Sequence, residues 1–255
     1  MARLYTEHDI AAGRLVALNA NQAHYLRTVM RAGPGDCVTL FNGRDGEWAA
    51  RIESIGKKSG TLLAQHRLRE QMAEPGPDLY FAPVKRAPLD FLVQKAVELG
   101  VAALQPVMTE RTVVGRVNHG RLRAHIVDAA EQCERLSIPD LRAAIKYTML
   151  LDNWPADRHL LICVERGAAP AIDSVLKDTG NIESRDIFIG PEGGLRNPNA
   201  ICSPHCHMLR PPALVRASFA RKARRWRRSF AGRWRMTPGR ANPIITGINH
   251  LCPHR

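Results

Sequence analysis

The stretch Asp186-Ile187-Phe188-Ile189-Gly190-Pro191-Glu192-Gly193-Gly194 decides the fold of this 255-residue chain. Its apolar opening, Asp186–Ile189, reads as a buried strand. The next five residues hold three glycines and a proline. They cannot continue a strand or open an ordinary helix, and they make a loop that lets a ligand come close to the main chain. A Gly-rich loop at the C-terminal end of a buried strand is where open α/β sheets place ligands. A tight turn without a ligand explains the loop in isolation equally well, so the surrounding sequence has to decide.

Upstream of the loop, strand and helix patterns alternate. Leu79–Val84 reads as a strand, and Pro88–Leu99 as a helix with Leu89, Leu92, Val93, Ala96 and Val97 on one face and Gly100 just past its end. Val101–Met108 is the next strand, and Arg121–Leu136 a helix with Leu122, Ile126, Ala129, Ala130 and Cys133 inward. Leu160–Val164 and Ile187–Ile189 are further strands, with a helix over Pro170–Lys177 between them. This alternation predicts a parallel sheet with helices on both faces. Residues 1–73 instead read as a small β-rich unit with one helix. Asn21–Arg31 carries apolar Ala23, Leu26, Val29 and Met30, and Gly33-Pro34-Gly35-Asp36 stops it. Val38, Leu40, Trp48, Ala50 and Ile52 alternate around the turn Asn42–Gly46 as a hairpin, and Thr61–Ala64 is a third strand. The polar Gln71–Asp78 segment, with Pro75, Gly76 and Pro77, reads as the linker.

The chain has no apolar run long enough to span a bilayer, and its first residues lack a signal-peptide core. Both point to a cytoplasmic protein without a membrane partner. The formal net charge is +13. From Arg196 to Arg255 there are 13 Lys+Arg and no acid, which leaves 24 of the 37 basic residues to balance the 24 acids of residues 1–195. The whole excess lies in the last 60 residues. That tail is either a basic nucleic-acid arm or something other than normal coding sequence.

No Walker loop, His-Glu-x-x-His, paired Cys-x-x-Cys or Gly-x-Ser-x-Gly is present, and no metal site is expected. Cys202, His205, Cys206 and His207 make a poor zinc signature. The Gly190–Gly194 loop lacks the basic residue of a triphosphate cradle and suits a ligand held by backbone hydrogen bonds, such as an adenosine moiety. Polar groups follow in series: Lys85-Arg86, then Leu92–Val101 with Gln94-Lys95 and Glu98, then Pro106-Val107 and Thr109-Glu110-Arg111, then Ala129-Ala130-Glu131-Gln132 with Arg135, then Ile189–Gly194. This series resembles the 16S rRNA uracil-N3 methyltransferase family of the SPOUT superfamily. His24-Tyr25-Leu26, Val29-Met30-Arg31 and Gly35-Asp36 resemble that family's PUA-like RNA-binding domain.

The resemblance implies a PUA-like β-barrel over residues 1–72 and a SPOUT methyltransferase domain over 75–195. The latter is an α/β domain whose parallel sheet carries a C-terminal trefoil knot. It implies S-adenosylmethionine as cofactor, 16S rRNA of the small ribosomal subunit as partner, and a homodimer. By the same resemblance Gly190, Pro191, Glu192, Gly193 and Gly194 line the cofactor pocket, with Cys163, Val164 and Glu165 beside it. Lys85, Arg86, Arg111, Arg135 and Arg31 are the candidates for substrate RNA, and Glu131 is the candidate base. A non-catalytic RNA-binding protein that uses the barrel and the basic tail is the alternative.

After Leu195 the family pattern breaks. An acid-rich helix, a second knot segment containing Gly-Pro-Arg-Ile-Leu-Arg-Ala-Glu, and a helix ending near Trp-Gln are all absent in place. Codons for Leu214–Lys222, read two nucleotides later, can spell that knot segment. The same frame can spell Cys-Trp-Gln through Ala231-Gly232-Arg233 and an acidic helix from Arg196 onward. A one-nucleotide deletion at the Leu195–Arg196 junction therefore accounts for residues 196–255 as an out-of-frame tail. The second half of the knot is then expected to be missing. DNA sequence across that junction with no intact family frame would disprove it.

Overall fold

The structure is a computed structural model, and it describes residues 1–112, 114–163, 185–191, 195 and 206–209. The expected helix over Pro170–Lys177 lies outside them. The chain divides into two units between Gln71 and Met72.

The first unit is built on a five-stranded mixed sheet. Its strands are β1 (Arg3–Tyr5), β2 (Leu15–Leu18), β3 (Cys37–Phe41), β4 (Glu47–Ile55) and β5 (Gly60–Arg69), in the order β1-β3-β4-β5-β2. β1 runs parallel to β3, and the other pairs are antiparallel. The hairpin forms as its alternation requires, with Phe41 opposite Glu47 and Val38 opposite Ala50. Asp45 closes its loop by accepting from the Ile10 amide at 2.8 Å and the Asn42 side chain at 2.6 Å. Val38, Leu40, Ala50, Ile52, Leu62 and Leu26 share one buried core.

The expected Asn21–Arg31 helix is shorter and of two kinds. Asn19 caps α1 (Ala20–His24) through a reciprocal capping box with Gln22. Tyr25–Val29 then continues as a π-helix, closed by Met30 N–H on the Tyr25 carbonyl at 3.0 Å. Of the four apolar residues expected inward, Ala23 and Leu26 are buried, whereas Val29 is 63% and Met30 43% exposed. A stripe spaced for 3.6 residues per turn slides off its face when the turn widens to i→i+5 bonding.

The second unit carries a parallel sheet. Its elements are β6 (Asp78–Phe81), α2 (Arg86–Leu99), β7 (Ala103–Met108), α3 (His119–Cys133), β8 (Asp140–Leu141), β9 (Ile145–Lys146), α4 (Tyr147–Asp152), β10 (His159–Cys163), β11 (Arg185–Ile189) and β12 (Cys206–Leu209). The sheet order is β12-β10-β11-β6-β7-β8, with β9 also on β7, and every pair is parallel. Successive strand residues face opposite sides, and both sides are buried. Tyr80, Leu160, Ile162, Phe188 and Val107 pack with Leu150 of α4 in one cluster. Phe81, Leu104 and Leu161, which alternate with them, are equally buried.

Helices α2 and α3 pack on each other and bury the apolar faces the sequence sets out, with Cys133 only half-buried. Gly100 ends α2 at φ +92°, a conformation that favours glycine. The linker is not slack over its whole length. A Cβ on Gly76 would stand against the Gly100 carbonyl oxygen, so only glycine fits there. Beyond Leu195, where the sequence suggests no strand, Cys206–Leu209 pairs with β10 over Leu160–Cys163.

Candidate active site at the C-terminal edge of the parallel sheet

Because all strands run the same way, their C-terminal ends share one edge. β11 ends at Ile189-Gly190, between Cys163 at the end of β10 and Phe81 at the end of β6. The ladder continues one step further through the Ala82 amide, which donates to the Ile189 carbonyl at 2.9 Å. Pro191, Ala82 and Pro83 are buried, and Leu195 returns to pack on the Tyr80–Phe188 cluster. A Cβ on Gly190 would lie 3.6 Å from the Cys163 carbonyl oxygen. Glycine keeps the approach to that backbone free of a side chain. The Cys163 thiol is pushed up to about 12 by burial, so it stays neutral at physiological pH. A neutral thiol is a poor nucleophile.

The same edge carries cations. Lys85 is the N-cap residue of α2 and Arg86 its first residue. Both are exposed, and no carboxylate pairs with either among the described residues. Two cations at a helix N-terminus oppose the helix dipole, and no acid in that first turn offsets them. A local conflict of this kind marks a functional position. After β7 the chain turns through Thr109 and Thr112, whose hydroxyls lie 2.9 Å apart, and presents Glu110 and Arg111 at the surface.

Two candidates lie at the opposite edge. Arg135, a candidate RNA contact by sequence, is turned into the fold. It is 9% exposed, and its guanidinium donates to the carbonyls of Val97 (3.1 Å) and Val101 (2.9 Å), to the Ser137 hydroxyl and to Glu74. Glu131 sits in the last turn of α3, which runs antiparallel to the strands it connects. That turn lies beside Arg135 and Glu74, so the chain does not bring Glu131 to the Gly190 edge. Arg31 belongs to the first unit, exposed, with its backbone at φ +54°. Val164, Glu165, Glu192, Gly193 and Gly194 lie outside the described residues.

The N-terminal edge holds a charge cluster that sequence reasoning missed. Asp78 is the first residue of β6 and Asp186 the second of β11, and they are 4% and 1% exposed. The Asp78 amide donates to Asp186 Oδ1 at 2.9 Å. Arg158 reaches Asp186 Oδ1 at 2.7 Å and Asp78 Oδ2 at 3.1 Å, and Arg142 reaches Asp78 Oδ2 at 2.8 Å. Burial pushes the Asp186 carboxyl above its ordinary value despite the Asp78 amide and Arg158. Glu74 shows the reverse balance. Burial opposes its charge, but hydrogen bonds from Ser137 and the charge of Arg135 hold it below the usual range. The available signal was an aspartate placed immediately before each of two apolar runs.

The C-terminal edge fits S-adenosylmethionine by the chemistry of its groups: main-chain donors and acceptors, buried apolar walls and a thiol that stays neutral. Among the described residues no group of three or more His, Cys, Asp or Glu could hold a metal, and no helix is long and apolar enough to cross a membrane.

Two family models match in tandem: an RNA methyltransferase PUA domain over residues 18–64 and an RNA methyltransferase domain over residues 74–200. Ribosomal RNA small subunit methyltransferase E of Rickettsia conorii is 29% identical over 198 residues, 76% of this chain and 80% of that protein. The crystal structure of a ribosomal RNA small subunit methyltransferase E from Neisseria gonorrhoeae, bound to S-adenosyl methionine, superposes with TM-score 0.70 at 27% identity over 82% of this chain and 88% of its own. A putative methyltransferase from Legionella pneumophila, also with bound cofactor, gives TM-score 0.70 at 25% identity over 83% and 88%. By its motifs, its sheet and these relatives, the chain belongs to the RNA methyltransferase family typified by ribosomal RNA small subunit methyltransferase E.

Proposed function

We propose that this protein's chemistry is the S-adenosylmethionine-dependent methylation of N3 of a uridine in 16S rRNA of the small ribosomal subunit, by a homodimer. The observation that carries the reading is the meeting of Gly190, Cys163 and Ala82 at one sheet edge that also bears Lys85 and Arg86. Relatives that share this fold were solved with the cofactor bound.

When bound, the cofactor supplies an electrophilic methyl group on a sulfonium. The chain's part is to position and to bias a proton. Gly190 and Pro191 would present backbone to the adenosine moiety beside Cys163, and the resemblance adds Val164, Glu165, Glu192, Gly193 and Gly194 to the same pocket. Uracil N3 carries its proton at neutral pH, so attack requires the deprotonated form. Lys85, Arg86 and Arg111 supply positive charge that favours the uridine anion and holds adjacent phosphates. Fixing both reactants in line contributes at best about 7–11 kcal/mol to lowering the barrier. Glu131, in the last turn of α3, is the base that the family resemblance would give the reaction, and its distance along the fold from Gly190 makes Lys85, Arg86 and Arg111 the better-supported groups.

The domain limits 1–72 and 75–195, the trefoil knot and the out-of-frame origin of residues 196–255 are parts of the same proposal. The knot rests on the family resemblance, and an out-of-frame tail leaves this chain without its second half. The test pairs this chain with a version whose frame is restored by one nucleotide at the Leu195–Arg196 junction. The restored protein is expected to transfer labelled methyl to small-subunit RNA, and this chain to transfer weakly or not at all. No transfer by the restored protein overturns the enzymatic reading. Equal transfer and equal calorimetric affinity for the cofactor in both overturn the frameshift.

A further inference from the structure

The segment His24–Arg31 combines features that the fold alone does not require. It changes from α- to π-helical bonding at Tyr25. π-turns are rare and concentrate at functional sites. It ends on Arg31 in the left-handed region at φ +54°, a strained position for a residue with a side chain. Only Leu26 of these eight residues is buried. Tyr25 (41%), Val29 (63%) and Met30 (43%) are large apolar side chains left in solvent. Arg27 and Arg31, both exposed, alternate with them, and no carboxylate pairs with either among the described residues. The π-turn is what produces this surface, since it turns Val29 and Met30 away from the core that Ala23 and Leu26 enter.

Apolar and aromatic surface interleaved with uncommitted cations is the chemistry of unpaired nucleic acid. Exposed bases stack on an aromatic ring while guanidinium groups take the phosphates. Duplex RNA keeps its bases stacked inside and offers Tyr25 nothing to stack on. A lipid surface would also use the apolar residues, but a patch this small, held in a folded sheet unit, lacks the long amphipathic helix that membrane binding uses. We infer that Tyr25, Val29 and Met30, flanked by Arg27 and Arg31, form a stacking platform for unpaired bases of the RNA substrate, so that the first unit selects single-stranded over duplex RNA. This rests on the proposal that the substrate is RNA.

The test measures affinity of the full chain for two labelled RNAs of equal length at fixed salt: a hairpin with an unpaired loop, and a perfect duplex. Tyr25→Ala is expected to weaken loop binding about tenfold and leave duplex binding unchanged. Tyr25→Phe keeps the stacking surface and is expected to bind as the parent does. Arg27→Ala combined with Arg31→Gly weakens both RNAs. It also lowers the salt slope by about 1.4, since each single-strand phosphate contact contributes about 0.7. Glycine at 31 removes the charge without straining the left-handed backbone. Unchanged melting temperatures separate these effects from unfolding. If Tyr25→Ala binds both RNAs as the parent does, or binds anionic vesicles less well and RNA equally, the platform is wrong and the RNA reading stands. If the parent binds neither RNA, both fall.

Discussion

The two edges of the parallel sheet are opposites in electrostatic terms. At the N-terminal edge three arginines are spent: Arg158 and Arg142 on Asp78 and Asp186, and Arg135 on Glu74 and two carbonyls. At the C-terminal edge Lys85 and Arg86 stand exposed without a carboxylate, at a helix end that disfavours them. Charge that is buried and paired fixes the strands. Charge that is exposed and unpaired, against the local dipole, contributes nothing comparable to the fold. The two edges sit only a strand length apart, and β11 joins them, with Asp186 near one end and Gly190 just past the other.

That contrast breaks first under Arg158→Ala. The substitution leaves Asp186, 1% exposed, without its cation, and truncating one partner of a buried pair costs about 3–5 kcal/mol. Denaturant unfolding of the second unit should show that loss. A loss under about 0.5 kcal/mol, the surface range, would mean that the edge is not a clamp. Asp186→Asn sharpens the same point through pH. A carboxyl raised above its ordinary value of 3.8 contributes stability that is fully present below 3.8 and is lost as pH rises through the raised value. The parent should therefore lose ground to the Asn variant as pH rises from 3.5 to 7, read as the difference in denaturant midpoints. A difference that stays flat across that range removes the raised carboxyl. The smallest effect is expected from Lys85→Ala with Arg86→Ala: a stability change within about 0.5 kcal/mol, with weaker RNA binding. A loss as large as that of Arg158→Ala would abolish the distinction between the edges.

Much of this was legible in the sequence, and the failures have physical causes. The apolar faces of α2 and α3 and the strand before Gly190 follow from periodicity, because burial on a sheet is what periodicity encodes. β1 and β2, three and four residues long, were missed, since each is defined by pairing with distant chain and not by its own pattern. The sequence offers Arg135 as a candidate RNA contact. Its carbonyl partners lie 38 and 34 residues away in sequence, and no local signal announces them. Val29 and Met30 fit a helical stripe until the π-turn moves them. The end of β11 at Gly190 is legible because glycine and proline constrain the backbone wherever they stand.

The strand Cys206–Leu209 carries one more consequence. It lies on β10, whose residues His159-Leu160-Leu161-Ile162-Cys163 form an apolar run at the margin of the sheet. A bare apolar margin is a template for strand capture by other chains. Covering it asks only for amide and carbonyl groups, whatever the side chains. A chain cut after Leu195 loses this cover and is expected to be less soluble than the one that keeps it, as comparing the soluble fractions of the two would show.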